Sequence, residues 1–397
     1  MSDSEYPVVV IGGGMVGLSF ALSLADAGVS VLVVDAKAPS LAEAKTSMMG
    51  RVSAINASSV EFLNQLGVWL HLSEASFAPF TQMKVWDTQG DGEIHFHATD
   101  VARAQLGYIV ENAAITRQLW RQLVAHPHVE VKAPAQAISW EADVQGVYMQ
   151  LSDGSSIKAR LVVGADGAAS WVRQQAKIPC DKRSYGQVAI TGVVMSEKPH
   201  AQCAWQQFLT EGPLGVLPLR DPHLSSFVWS NSKDRAQALM EMPVEQFNVA
   251  LMNAAQCYLG DMKLVSVRTD FPLIMQHATA YVTPQVALLG DAAHAIHPLA
   301  GQGANLGLSD AACLSHAMSE AIKQDKDPLS WRVLRAYARA RRFDNTRMQG
   351  LIRMLSDLFS VDDVMTVGIR STGMKQINQR NVLKRLLIEQ ADGIGVL

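Results

Sequence analysis

The feature that most constrains this chain lies at its start. An apolar run, Val8 to Ile11, leads into Gly12-Gly13-Gly14-Met15-Val16-Gly17, an apolar helical stretch to Ala27, Gly28 as a stop, and a second apolar run, Val31 to Val34. Strand, glycine turn, helix and strand in that order predict a β-α-β unit. Gly12, Gly14 and Gly17 fit the dinucleotide fingerprint, in which the first glycine permits a tight turn, the second admits a pyrophosphate, and the third lets helix and strand pack closely. The helix N-terminus then offers free N–H groups and a partial positive charge to the phosphates. Asp35 closes the second strand, where a carboxylate accepts hydrogen bonds from a ribose diol. The bland alternatives are a plain glycine turn and, for Asp35, an ordinary strand-end turn residue.

NAD and FAD present the same ribose and pyrophosphate to such a unit, so other segments must separate them. Two later apolar strands each end in glycine and aspartate: Leu161 to Val163 runs into Gly164-Ala165-Asp166-Gly167, and Val286 to Leu289 into Gly290-Asp291-Ala292-Ala293-His294. A carboxylate at the C-terminal end of a strand sits on the rim where α/β folds bind ligands and can hold a polyol hydroxyl. FAD carries such a polyol, the ribityl chain, and NAD does not. Next, Pro298-Leu299-Ala300-Gly301-Gln302-Gly303-Ala304-Asn305 precedes a long helical pattern. Glycine backbone and helix N–H groups there face an anion, as the pyrimidine edge of a reduced flavin is. The cofactor expected is FAD, with Gly301, Gln302, Gly303, Ala304 and Asn305 against it.

Further blocks are Arg51-Val52-Ser53-Ala54-Ile55-Asn56, Leu66-Gly67-Val68-Trp69 and Gly107-Tyr108-Ile109-Val110-Glu111-Asn112. Taken in order with the glycine and aspartate motifs, they resemble the class A flavin-dependent aromatic hydroxylases, and specifically the ubiquinone-biosynthesis hydroxylases, over nearly the whole chain. The resemblance implies an FAD monooxygenase that uses NAD(P)H and O2 to hydroxylate a polyprenylated phenol. It implies that Arg51 and Arg117 touch the cofactor, that Asp166 belongs to a motif shared between FAD and NAD(P)H, and that Asp291 holds the ribityl chain. Blocks 51–56 and Pro222-His223-Leu224 most resemble the branch that hydroxylates C5 of the 2-polyprenylphenol ring; the C6 and C1 hydroxylases are close relatives. Asp35 stands where that family more often has Glu, Ala169 where a polar side chain is usual, and Ala304 where Val is common.

Each of these residues also has a bland reading: surface charge for the arginines and turn former for the aspartates. His294 and His297 have i, i+3 spacing with no third ligand nearby, so no metal is expected and both read as structural histidines. No paired carboxylates or Ser/His/Asp arrangement identifies a catalytic base. A flavin disulfide reductase would need a redox cysteine pair near the first unit, and the first cysteine is Cys180. An NAD-dependent dehydrogenase leaves both later Gly/Asp strand ends unexplained. A flavin-binding scaffold without turnover is the non-enzymatic alternative.

At 397 residues the chain exceeds one simple core. Residues 187–230 and 263–274 read as strands, and the first of these ranges, alternating without intervening helices, predicts a separate antiparallel sheet. The fold expected is α/β: a Rossmann-like FAD-binding domain, discontinuous over 1–75, 100–180 and 275–340, interleaved with a smaller α+β substrate domain over 76–99 and 181–274, then C-terminal helices over 341–397. Ser58 with Glu61 is read as a capping box and Asn112 as a helix cap. With 34 basic against 37 acidic residues, nucleic acid is not an expected partner. The four cysteines lack metal-like spacing, nothing before Tyr6 resembles a signal peptide, and no apolar run reaches the ~20 residues of a membrane span. A cytoplasmic protein is expected, peripheral to the inner face of the membrane when it meets its lipid-tailed substrate, with other ubiquinone-biosynthesis proteins and a second copy of itself as further partners. Val382, Leu383, Leu386 and Leu387, with Lys384 and Arg385 beside them, suit either an interfacial helix or one packed on the core.

Overall fold

A computed structural model of the chain describes residues 4–39, 41–42, 50–296 and 301–393. His297, Pro298, Leu299 and Ala300 therefore lie outside the described residues. The first strand, Ser4–Ile11, pairs in parallel with Val31–Val34 on one side and Ser156–Gly164 on the other. Val129–Lys132 extends this sheet beyond the first of these and Val286–Leu288 beyond the second, again in parallel. Val8 to Val10, Val31 to Val34 and Leu161 to Val163 are fully buried. Layers cover both faces of the sheet, which is why these strands read as unbroken apolar runs rather than alternation. Helices Met15–Asp26 and Gly303–Lys323 pack against each other, joined also by a 3.0 Å hydrogen bond from Ser23 to Ser315. The Asp153-Gly154 turn forms as its sequence predicts, linking Gly146–Gln150 to Ser156–Gly164.

The expected second sheet is present and has nine strands. Its longest, Cys180–Ser196, pairs antiparallel with Thr269–Ala278 and Leu224–Ser232, and a register shift between Ser184 and Val188 bends it. The sheet continues through Gly212–Pro218 and Cys203–Leu209 to Gln82–Asp87, joined in parallel, and ends at Glu93–His97. At its other edge the short strand His294–Ala295 pairs with Gln276 and His277, so the segment just after Asp291 is stitched into this sheet. One face packs on helices Lys233–Glu241 and Val244–Ala254 through Phe227, Trp229, Phe247 and Leu251. On the other face Ile94 and Phe208 meet Ile352, Phe359 and Met374 of the C-terminal helices, with Phe208 stacked on Phe359 at 3.7 Å between ring centroids. A small sheet of Val52–Ile55, Gly107–Glu111 and Phe77–Phe80 bridges the two large ones. No helix among the described residues is long and apolar enough to cross a membrane.

Two local expectations need correction. Asn56, not Ser58, caps helix Ala57–Gln65: its side chain accepts from the Ser59 amide at 2.9 Å. Ser58 instead donates to the Asp392 carbonyl at 2.5 Å, a partner more than 300 residues away that no local pattern reveals. Asn112 is the first helical residue of Asn112–Ala125 rather than its cap, and its amide donates to the Arg51 carbonyl at 3.0 Å.

The C-terminal helices are held by a buried ion pair. Arg370 contacts Asp87 at 2.6 Å, both side chains being 1% exposed, and donates also to Gln89 and to the Leu358 carbonyl. Removing one member strands the other charge away from water. Arg370→Met is expected to lower stability by about 3–5 kcal/mol, read as the midpoint of urea unfolding. The double variant Arg370→Met with Asp87→Leu is expected to recover most of that loss; no recovery would mean that the site needs the charges themselves.

Candidate active site

The three glycines of the fingerprint do different work. A Cβ on Gly12, whose φ is +117°, would stand 2.3 Å from the Ala165 carbonyl oxygen, and one on Gly17 would stand 2.2 Å from that of Gly12. Both are fixed by contact between the turn, its own helix and the neighbouring strand end. Gly14 differs: a Cβ there meets nothing among the described residues within 4 Å. It is also the N-cap of Met15–Asp26 and makes no side-chain cap bond, so among the described residues the helix N-terminus keeps its N–H groups free for a ligand. Gly13, to which the fingerprint gives no role, is equally constrained. Its Cβ would lie 2.4 Å from the Trp120 ring, and its amide donates to Asp35 at 2.6 Å. Asp35 also accepts from the Lys37 amide at 2.8 Å. Its carboxylate is thus oriented by the turn while each oxygen keeps acceptor capacity.

Strand register gathers the other candidates. Ile11 lies level with Val34 and Gly164, and Gly164 with Leu288, so the glycine turn, Asp35, Asp166 and Asp291 leave the sheet along one rim. One Asp166 oxygen accepts from the Val172 amide at 3.0 Å, and the other is buried without a partner among the described residues. Asp291 is exposed as a residue, yet its carboxyl is desolvated by the protein around it. Burial, the largest influence, pushes its carboxyl above the ordinary range, and His294 and Arg51 pull it back. Arg51 is exposed, its guanidinium 5.6 Å from the Phe271 ring centre. Arg117 has a buried Nε without a partner among the described residues. Burial raises the Glu111 carboxyl, and Arg117 offsets part of that.

The glycine-rich segment behaves similarly. A Cβ on Gly303 meets nothing among the described residues within 4 Å, whereas Gly301, at φ +63°, sits close to Ala54. Ala304 packs against the main core, and the Gln302 carbonyl accepts from the Leu306 amide as the long helix begins. Asn305 is buried, donates to the Ala54 carbonyl at 2.8 Å and accepts from the Asn56 amide at 3.1 Å. Its side chain therefore fastens segment 301–305 to strand Val52–Ile55.

Sequence reasoning missed what lies behind this rim. Arg173 donates to the carbonyls of Ala292 (2.6 Å) and Ala168 (2.9 Å), and Gln276 to those of Asp291 (2.8 Å) and Ala168 (2.9 Å). Between them they lock the two aspartate turns together. Deeper still, Asp310 is fully buried and accepts from His294 at 2.5 Å, Arg341 at 2.8 Å and the Gly290 amide at 3.0 Å. Burial acts most strongly to raise its carboxyl, but His294 and Arg341 together outweigh it and hold the group down at about 2. The signal was available: Leu306, Asp310 and Leu314 share one buried helical stripe, and an acid on such a stripe demands a partner. His294 is structural, as expected; His297 falls outside the described residues. No cluster of potential metal ligands occurs among the described residues.

The space that the described residues leave at Gly14 and Gly303, the orphaned Asp166 oxygen and Arg117 nitrogen, and the accessible Asp291 together fit a long, polar, phosphate-containing cofactor laid along the rim. A larger cavity of about 920 Å³ lies against helices Lys233–Glu241 and Val244–Ala254, and none of the candidate residues lines it. Residues 5–348 match the family described as FAD binding domain. Over 392 residues the chain is 36% identical to the ubiquinone hydroxylase UbiL of Rhodospirillum rubrum, covering 99% of this chain and 90% of that protein. It is 34% identical over 394 residues to the 3-demethoxyubiquinol 3-hydroxylase of Escherichia coli, covering 99% and 100%. Among solved structures, p-nitrophenol 4-monooxygenase PnpA of Pseudomonas putida superposes with a TM-score of 0.80 at 18% identity, covering 98% of this chain and 99% of that one.

Proposed function

The chain belongs to the FAD binding domain family, among the flavin monooxygenases of ubiquinone biosynthesis, and from that premise we propose that it hydroxylates C5 of a polyprenylated phenol ring. FAD is its cofactor, and NAD(P)H and O2 are the usual co-substrates of its class. When bound, the flavin supplies the redox and oxygen chemistry. What the protein adds is binding, orientation and exclusion of water.

In this reading Gly12, Gly14 and Gly17 bring the backbone and the helix N-terminus to the pyrophosphate, and Asp35 accepts from the ribose diol. Asp291 holds the ribityl chain, residues 301–305 present N–H groups to the pyrimidine edge, and Arg51, Arg117 and Asp166 complete the contacts. The observation that supports it most directly is that a Cβ on either Gly14 or Gly303 would meet none of the described residues within 4 Å, as a cofactor needs at those two points. Residues 1–75, 100–180 and 275–340 form the FAD-binding unit in this proposal and 76–99 with 181–274 the substrate unit, supported by the separate parallel and antiparallel sheets. The exposed Val382, Leu386 and Leu387 support peripheral contact with a lipid surface, from which a polyprenyl substrate comes. The interfacial-helix expectation also put Lys384 on that surface; it is instead buried and paired with Asp100 at 3.1 Å.

The test is to supply the purified flavoprotein with NAD(P)H, O2 and a 2-polyprenylphenol, follow O2 uptake, and locate the new hydroxyl by NMR. Product formed in step with O2 uptake and hydroxylated at C5 is expected. Full-length similarity to a 3-demethoxyubiquinol 3-hydroxylase favours one second reading, in which the hydroxyl enters at C6 or C1 rather than at C5. Flavin binding without any product would leave the scaffold reading.

A further inference from the structure

A smaller cavity of about 120 Å³ lies under the last helix, Asn381–Ala391. Its apolar walls include Phe80, Met83 and Phe96 from the sheets, Leu106 just before strand Gly107–Glu111, and Leu387 and Ile388 from that helix. Most polar groups at its margin are already engaged. Asn305 is paired to the backbone of residues 54 and 56, Asn56 donates to the Ala391 carbonyl at 2.9 Å, and Asp392 is bonded to Arg103. Apart from the Gln302 side chain at one end, the lining offers little to a polar guest and suits a hydrocarbon one.

Position adds to chemistry. Ala54, Gln302 and Asn305 form one end of the cavity, so it begins at the segment proposed to meet the flavin. Leu387 belongs to the lining and is also 38% exposed, which makes it the mouth; Val382 and Leu386 continue the apolar surface outside. The helix itself is fastened on either side of Leu387, by Lys384 to Asp100 at 3.1 Å and by the bonds at Ala391 and Asp392. At ~30 Å³ per water- or methyl-sized group, the cavity takes about four such groups, close to one branched five-carbon unit.

We propose that this cavity receives the first isoprenoid unit of the substrate's tail and that Leu387 and Ile388 decide which tails are accepted, the remainder leaving over Leu387 onto the surface. The inference rests on the reading of the substrate as a polyprenylated phenol. It is tested on the holoenzyme with 2-methylphenol, 2-prenylphenol and 2-farnesylphenol, in Ile388→Phe, which fills the cavity, and in Leu387→Gln, which makes its mouth polar at a half-exposed position that tolerates the change. Each variant is first checked for FAD content and melting temperature. The preference for 2-farnesylphenol over 2-methylphenol, as a ratio of kcat/KM, is expected to fall about tenfold or more in both variants, mainly through KM. Equal losses on tailed and untailed phenols in Leu387→Gln, or an unchanged ratio in both variants, overturn the tail site while leaving the hydroxylase reading intact. A wild-type enzyme that hydroxylates none of the three phenols overturns both readings.

Discussion

Asp310→Ala is expected to cost about 3–5 kcal/mol of stability and to strip the folded protein of FAD. The carboxylate is fully buried and serves four donors at once: His294, Arg341, the side-chain amide of Asn345 and the backbone amide of Gly290. Without it Arg341, itself buried and bonded also to Asn345, keeps its charge with Asp344, at 3.2 Å, as its remaining acidic partner among the described residues. The cofactor effect follows from the Gly290 bond, because Gly290 sets the turn on which Asp291 stands. Asp310→Asn has one acceptor oxygen in place of two, so it serves Arg341 or the Gly290 amide but not both, and it is expected to fall between Asp310→Ala and wild type in stability. Urea unfolding and the flavin-to-protein ratio check the pair; Asp310→Ala with wild-type FAD content would show that the turn holds its shape unaided.

The same residue gives a pH dependence whose sign is fixed. Its carboxyl is lowered from 3.8 to about 2 in the folded protein, despite burial, by His294 and Arg341. A depressed carboxyl stabilises the fold above its unfolded pKa and loses that contribution as pH falls through the folded value. The stability gap between wild type and Asp310→Ala is therefore expected to be constant above about pH 4 and to shrink between about pH 4 and pH 2.

Gly14→Val is expected to leave the apoprotein's stability within about 0.5 kcal/mol and to weaken FAD binding by about a hundredfold or more. Gly14 has an ordinary extended backbone, φ −82° and ψ 172°, and a Cβ there meets no atom of the described residues within 4 Å. A branched side chain there is expected to displace a ligand at the helix N-terminus rather than the described protein. Gly17→Val is the contrast, since its Cβ would lie 2.2 Å from the Gly12 carbonyl oxygen, and it is expected not to fold. Flavin titration and thermal unfolding of both apoproteins separate the two effects. Full FAD affinity in Gly14→Val would remove the pyrophosphate from this helix.

Much of this was legible in the chain because short-range rules govern it. The β-α-β unit, the Gly/Asp strand ends and the long final helices each follow from periodicity and turn chemistry over a few residues, and a buried parallel strand declares itself as an unbroken apolar run. The fingerprint also marked Gly12, Gly14 and Gly17 together. Tertiary structure alone divided them, since two are held by atoms of the neighbouring strand and turn, and one meets none of the described residues. It alone joined Asp310 to Arg341, replaced Ser58 by Asn56 as a cap, sank Lys384 against Asp100, and closed an apolar cavity with a helix more than 300 residues from Ile55. Sequence sets what each segment becomes, because backbone and side-chain preferences act locally. Which distant groups meet depends on how the layers pack, and there desolvation compels each buried charge to find its partner.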